Sequence, residues 1–383
     1  MPQQAINHGK IDGVVVVGAG IAGLAITREL YRRDVPVVTL EHRPMINAGL
    51  AINLPGNAIA ALRKLGLGDD LHQFGAPIRR REYRTSTGRL LFEVDEEAFW
   101  GPHHTPRCMR RSDLASLLIK DVPIDAVLRQ CSVASVGIDA DSVQITTSEG
   151  EPLTGNYLIG ADGVHSTVRR YCFPDSMTSV GELGQASWRL IAPNPGVDCW
   201  PVGLGANAIV LLIPVGPEEV YCWATVTAGS ASSRDPAALP KYMKDFEPMP
   251  RSVIDEALKD PSAMFSSPLN EIRLPSWGRG RAILIGDAAH ATAPVWAQGA
   301  ALAMEDSFVL AELLSRDIDS QLLVREFERM RQERVRHVQA VTDRASKISR
   351  LPTFLRNVMM PLMGPLSYKN AYGPLRAQIT ELK

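Results

Sequence analysis

What the chain lacks narrows its chemistry first. Its five cysteines, Cys108, Cys131, Cys172, Cys199 and Cys222, are scattered. With no C-x-x-C pair and no histidine at zinc-ligand spacing, they predict reduced thiols and no metal site. No apolar run reaches the length of a membrane span, and the opening residues lack the basic-then-apolar layout of a signal peptide. The expectation is a cytoplasmic protein without a transmembrane segment. A net charge of −1 offers no basic face for nucleic acid. H-x-E and G-x-S-x-G motifs are missing, so neither a metal centre nor a nucleophile triad is expected. No internal repeat or low-complexity tract is present.

The composition is that of a globular protein, 45% apolar and 22% charged, and 383 residues suffice for two domains. One stretch organises the rest. Val14 to Val17 is an unbroken β-branched run, read as a buried parallel strand, and Gly18, Gly20 and Gly23 follow at once. That spacing suits a tight strand-to-helix turn: the first glycine makes the bend, the second admits a pyrophosphate, and the third lets helix and strand pack closely. From Ile21 and Ala22 a proline-free helix runs to Arg33, its first-turn N–H groups turned towards the glycines as an anion site. A second strand, Val35 to Leu40, ends at Glu41, where an acidic side chain takes ribose hydroxyls in such a unit. The frame as a whole predicts a bound adenine dinucleotide; the alternative is a glycine turn kept for packing.

Further along, Ala48 to Asn53, with Gly49, Leu50 and Ala51, is small enough for backbone to brush a flat ligand, and Ala58 to Leu65 reads as a short helix ended by Gly66. Arg79 to Phe92 reads as a hairpin turning at Thr87 and Gly88. Ser112 is the expected cap of a helix with Leu114, Leu117 and Leu118 on one face. Two or three strands follow, the last Tyr157 to Gly160. The character changes at Pro174: the tryptophans Trp188, Trp200 and Trp223, with the runs Ala208 to Ile213 and Val220 to Val226, predict an antiparallel sheet, and Lys241 to Leu258 a helical connection. Arg281 to Gly286 then returns to strand-and-glycine chemistry, so the first domain is expected to be discontinuous. The divisions are 1–78, 101–175 and 268–320 for a Rossmann-like α/β cofactor domain, 79–100 and 176–267 for the antiparallel-sheet substrate domain, and 321–383 for C-terminal helices. Leu322 to Arg350 reads as one long helix. Leu351 to Pro374 is apolar and broken by prolines, either packing across the domain junction or docking on a membrane surface or partner.

The Gly18 turn with Glu41, the segment Gly160 to Arg169 carrying Asp162-Gly163, and Gly286-Asp287 through Glu305-Asp306 together resemble the dinucleotide, DG and GD motifs of the single-component FAD-dependent aromatic hydroxylases, in that family's order. The resemblance implies FAD held by Gly18, Gly20, Ile21, Ala22, Gly23, Glu41, His42, Arg43, Gly49, Leu50, Ala51, Arg111, Asp162, Gly286, Asp287, Pro294, Gln298, Gly299, Ala300 and Ala301. Asp287 would accept from ribityl hydroxyls, and the helix opening near Gln298 would aim N–H groups at the flavin pyrimidine edge. Asp162 and Arg169 read equally as a structural turn and ion pair; Arg111 resembles the family's arginine near the ribityl and phosphates, with a solvated charge at a helix start as its alternative and Arg110 beside it. The family's G-Q-G-x-N is here Ala297-Gln298-Gly299-Ala300-Ala301, without its first glycine and its asparagine.

The activity so implied is hydroxylation of an aromatic or polycyclic substrate with NAD(P)H and O2 through a flavin C4a-hydroperoxide. The cofactor carries the chemistry, and the protein excludes water and places the substrate. With a single dinucleotide turn, NADPH or NADH is expected to bind transiently. Wall candidates are Arg189, Trp188, Val210, Leu212, Trp223, Pro294 and Trp296, each with a structural alternative. After the GD helix fewer than about 90 residues remain, helical by pattern rather than thioredoxin-like, so the chain is expected to resemble the shorter branch that includes salicylate, 6-hydroxynicotinate, urate and tetracycline-modifying monooxygenases. Few charges and several tryptophans favour a bulky neutral or zwitterionic ring, such as a tetracycline-like antibiotic. The rivals are an FAD-dependent reductase or dehydrogenase without oxygen insertion and a non-enzymatic FAD-binding regulator. The halogenase W-x-W-x-I-P segment is absent.

Overall fold

The computed structural model describes residues 9–44, 50–173, 180–226, 235–316, 318–349 and 351–377, with side chains omitted at 180–185. Its first sheet is ordered Gly278–Arg279, Ala282–Leu284, Tyr157–Gly160, Val14–Val17, Val37–Glu41 and Val127–Arg129. All neighbours are parallel except the first pair. The valine run takes the middle because it is buried on both faces. Register sets Val17 beside Leu40 and Gly160, and Gly160 beside Leu284. Residues remote in sequence thus leave the sheet at one edge: the Gly18 turn, Glu41, Asp162 and Gly286-Asp287.

A second sheet is ordered Phe265–Ile272, Val180–Pro193, Glu219–Val226, Ala208–Pro214, Trp200–Leu204, Arg80–Thr85 and Leu90–Asp95. One of its faces, with Trp188, Val210, Leu212 and Cys222, is covered by helices Leu239–Tyr242 and Pro248–Ala257 around Phe246. The other, with Tyr221, Trp223 and Ile213, turns towards Ala51, Cys108 and Ala293 of the cofactor-side segments.

Several local expectations change. The segment before Gly160 holds four strands, because Val133–Ile138, Val143–Thr147 and Pro152–Gly155 form a separate antiparallel meander before Tyr157–Gly160. Ser112 does not cap its helix. Arg111–Ile119 begins two residues earlier than such a cap would set it, its leading amide taken up when Arg111 N–H donates to Leu50 O at 3.0 Å. The proline-broken C-terminal stretch is one continuous helix, Thr353–Tyr372, running through Pro361 and Pro365. Both prolines are exposed, on the side where water can reach any carbonyl left without its N–H partner. Long helix Ser320–Ser349 packs on Gly299–Leu314.

Candidate cofactor and substrate cleft

At the Gly18 bend each glycine meets a different surrounding. Gly18 has φ +98°, and a Cβ there would lie 2.6 Å from Ala161 O; a Cβ on Gly23 would lie 1.8 Å from Gly18 O. Gly20 has nothing within 4 Å of where its Cβ would be. The turn is therefore tight against protein on two sides and open on the third, at the N-terminus of helix Ile21–Arg32, the side a pyrophosphate needs. Glu41 is buried beside it: Ala19 N–H donates to Oε2 at 2.7 Å, and Arg43 N–H to Oε1 at 2.9 Å. His42 Nδ1 lies 3.0 Å from the same carboxylate, while the His42 and Arg43 side chains are exposed. Gly49 lies outside the described residues. Leu50 is half-buried and Ala51 buried, on the strand pair Ala51–Leu54 and Arg107–Arg110.

Asp162 does local work. Its Oδ2 accepts from Thr167 N–H at 2.6 Å and Val168 N–H at 3.1 Å, tying down the short helix that follows, while Oδ1 is buried without a protein partner. Arg169 donates to Val164 O at 2.5 Å and to Ala288 O at 2.8 Å, joining the Asp162 turn to the Asp287 turn.

Asp287 and Arg111 are surrounded by protein yet reached by solvent, so both line a deep cleft. Burial pushes the Asp287 carboxyl up from its ordinary value, and His290, Arg111 and Arg189 pull it back. Burial lowers the Arg111 guanidinium, with Asp287 opposing and Arg189 adding to the effect. The ambiguity between neighbouring arginines resolves: Arg110 pairs with Glu219 at 2.5 Å, leaving Arg111 to the cleft. A Cβ on Gly299 would lie 3.7 Å from Asp287 Oδ1, so this carboxylate sits at the opening of helix Gly299–Leu314. The side chains of Ala300 and Ala301 are in the core, leaving only their amides to serve a ligand. Gln298 is turned inward, exchanging hydrogen bonds of 2.9 and 3.1 Å with Asn57. Ala297, standing for the family glycine, takes the left-handed conformation a glycine would favour, φ 53° and ψ 33°.

Strand parity sorts the wall candidates. Arg189 pairs with Trp223 and Ile191 with Tyr221, whereas Trp188 pairs with Ala224; cross-strand partners share a face, and consecutive residues do not. Arg189, Tyr221 and Trp223 therefore face the cleft, and Arg189 and Arg111 both act on the buried Tyr221 hydroxyl, whose pKa burial pushes up. Trp188, Val210 and Leu212 are not brought to the cleft; they lie in the opposite cluster under the covering helices. Tyr221 is the residue sequence reasoning missed. Its signal was available, since it stands two before Trp223 on a strand of period two. Pro294 and Trp296 share one helical turn, half-buried, but Ala293 and Val295 are the residues packed with Tyr221 and Trp223. The Trp296 ring turns instead to Tyr372, with ring centroids 5.5 Å apart.

Among the described residues no group of histidine, cysteine and carboxylate side chains could hold a metal ion, and all five cysteines are free. An open glycine turn at a helix start, a fixed carboxylate beside it, an orphaned Asp162 oxygen and the Asp287 cleft fit a flavin dinucleotide. The class this defines is a flavoprotein built on a parallel cofactor sheet and a seven-stranded second sheet.

Comparison with known proteins agrees. The sequence profile of the family described as FAD binding domain matches residues 12–345. The chain is 28% identical over 382 residues to 2-heptyl-3-hydroxy-4(1H)-quinolone synthase of Pseudomonas aeruginosa, covering 96% of this chain and 99% of that protein. It is 30% identical over 344 residues to the FAD-dependent urate hydroxylase of Klebsiella pneumoniae, covering 84% and 86%. The crystal structure of Klebsiella pneumoniae HpxO complexed with FAD and uric acid superposes with TM-score 0.85 at 26% identity, covering 98% of both chains. The chain belongs to this FAD-binding family, and it is an FAD-dependent monooxygenase of aromatic-hydroxylase type.

Proposed function

We propose that this enzyme uses NAD(P)H and O2 to hydroxylate a planar fused-ring aromatic compound, held between the Asp287 side of the cleft and the sheet face bearing Arg189, Tyr221 and Trp223. The observation that carries this reading is that face. A flat indole, a phenol and a guanidinium stand on adjacent strands, offering apolar cover with hydrogen-bond donors suited to a ring carbonyl. Two relatives support the ring class, since their names specify urate and a quinolone, both bicyclic and nitrogen-containing.

The cofactor is held, in this reading, by the Gly20 turn at its pyrophosphate, Glu41 at its ribose, Asp287 at its ribityl hydroxyls and the Gly299 helix opening at its pyrimidine edge. Bound FAD supplies the redox chemistry, taking reducing equivalents from the nicotinamide and activating O2. The chain's own residues position and shield. The helix opening favours negative charge at the pyrimidine edge, Arg111 balances charge beside Asp287, and Arg189 and Tyr221 hold the substrate's polar atom while the Trp223 face excludes water. The absence of a disulfide among the five cysteines supports a cytoplasmic location.

The test is NAD(P)H oxidation by the FAD-loaded enzyme with quinolones, purines, tetracyclines and a single-ring phenol, followed by product analysis under labelled O2. A fused-ring compound that accelerates oxidation and carries the label supports the reading. Acceleration without label assigns a reductase instead, and no response to any ring removes the substrate proposal.

A further inference from the structure

Helix Thr353–Tyr372 has two unlike sides. The inner side is bolted down: Arg356 donates to Leu204 O at 3.1 Å and Gly205 O at 2.6 Å, and Gly364 lies against the Phe92 ring. Tyr368 donates to Glu96 Oε2 at 2.6 Å, and Tyr372 to Trp296 O at 3.0 Å. The outer side is apolar and bare. Phe354 is 81% exposed and Leu362 84%, and Leu355, Val358, Met363 and Leu366 are exposed with them. Leu355, Val358, Leu362, Leu366 and Lys369 follow at spacings of three or four, one stripe along the helix. Isolated exposed apolar residues are ordinary; a continuous patch of this kind on a rigid helix marks an interaction surface.

Charge indicates what covers it. From Arg344 to Thr380 the sequence has no Asp or Glu. Arg356 is engaged inward, and the exposed Arg344, Lys347 and Lys369 flank the stripe at its two ends. Between this helix and Ser320–Ser349 the apolar surface continues as a groove past Ile348, Met359 and Met363, with Trp296 also on its lining. A second copy related by a twofold axis would set Lys369 and the Arg344–Lys347 end against their own copies, and the helix itself has no carboxylate to offset them. An anionic phospholipid surface supplies both an apolar phase and negative headgroups. No helix among the described residues is long and apolar enough to cross a membrane, so the contact lies in the plane of the interface.

We propose that the outer face of helix Thr353–Tyr372 seats this enzyme on an anionic phospholipid surface, with its leucine stripe in the acyl boundary and Lys347 and Lys369 at the headgroups. The helix keeps its inner contacts in this arrangement, and the groove beside Trp296 opens towards the lipid.

The test is co-sedimentation of the FAD-loaded full chain with vesicles of phosphatidylcholine alone or mixed with phosphatidylglycerol. Binding to the mixed vesicles is expected, weakening with salt as the flanking charges are screened. The double variant Phe354→Glu, Leu362→Glu should lose at least about tenfold in binding, and Lys347→Glu, Lys369→Glu should lose binding to mixed vesicles alone. Bound flavin and near-ultraviolet dichroism report whether each variant stays folded; because all four side chains are exposed, both should match the parent. Failure of the parent to bind mixed vesicles, or undiminished binding by the folded double variant, overturns the proposal. So does a parent dimer without vesicle affinity that the double variant converts to monomer, which assigns the face to a second copy.

Discussion

Single positions carry the sharpest expectations. Ala297 holds a left-handed backbone at φ 53°, which costs an L-residue with a Cβ about 1 kcal/mol or more relative to glycine. Ala297→Gly is expected to gain about 0.5 kcal/mol after the added freedom of the unfolded chain is subtracted, read as a rise in Tm. Asp287 stands at a helix opening with Arg111 and Arg189 as electrostatic neighbours. Asp287→Ala should weaken FAD retention by roughly 10- to 100-fold, the loss of a charged hydrogen-bond acceptor, measured by flavin fluorescence on dilution. Parity separates the tryptophan and arginine that adjoin in sequence. Arg189→Gln and Tyr221→Phe should raise KM about tenfold each for a substrate whose polar atom they bind while FAD content stays unchanged. Trp188→Phe, on the covered face, should lower Tm and leave KM alone; a KM change there with intact stability would reverse the assignment of faces.

At the level of elements, a buried ion pair anchors the C-terminal helix. Arg81 lies 2.5 Å from Glu96, stacks 3.5 Å from the Trp200 ring centroid and donates to Tyr372 Oη at 3.2 Å. Glu96→Gln leaves that guanidinium buried without a full counter-charge and is expected to cost about 3–5 kcal/mol, seen as a lower urea midpoint. Much of the element pattern was legible beforehand. The valine strand, the glycine turn and the helix after it follow from local residue choice, and Gly88 at φ +85° turns the hairpin as expected. What was not legible depended on partners distant in sequence. Pro361 and Pro365 broke the helix on paper because nothing local reveals that Arg356, Gly364 and Tyr368 would hold its inner side. Ser112 looked like a cap because it is the residue type that caps, but the helix already starts at Arg111, which puts Ser112 inside its first turn. Facing on the second sheet needed register, and an adjacent Trp-Arg pair does not declare which member looks into the cleft.

Across the molecule, one buried network joins the Asp287 turn to the C-terminal helices. Asp306 accepts from Gly286 N–H at 2.9 Å and from Arg331 Nε at 2.8 Å, with His290 Nε2 at 2.7 Å, while Glu305 meets Arg331 at 2.9 Å and Arg334 at 2.8 Å. Burial alone would raise the Asp306 carboxyl, but His290 and Arg331 hold it below its ordinary 3.8. A carboxyl depressed on folding stabilises the native state above its unfolded value and loses that contribution as pH falls through the folded one. The parent is therefore expected to lose stability more steeply than Asp306→Asn below about pH 4. Near neutrality the variant should be weaker by about 3 kcal/mol. Urea titrations at stepped pH check both, and a gap that stays constant on acidification would contradict the ion-pair account.

The first sheet also dictates an order of events. Its central strand and one neighbour, Val37–Glu41, are translated early, whereas the other neighbour, Tyr157–Gly160, and Ala282–Leu284 beyond it leave the ribosome later. Nascent protein therefore carries the valine strand with one edge unpaired until residues 157–160 emerge. The flavin, which needs contributions from both ends of that interval, arrives as the keystone of a nearly finished arch rather than as its foundation.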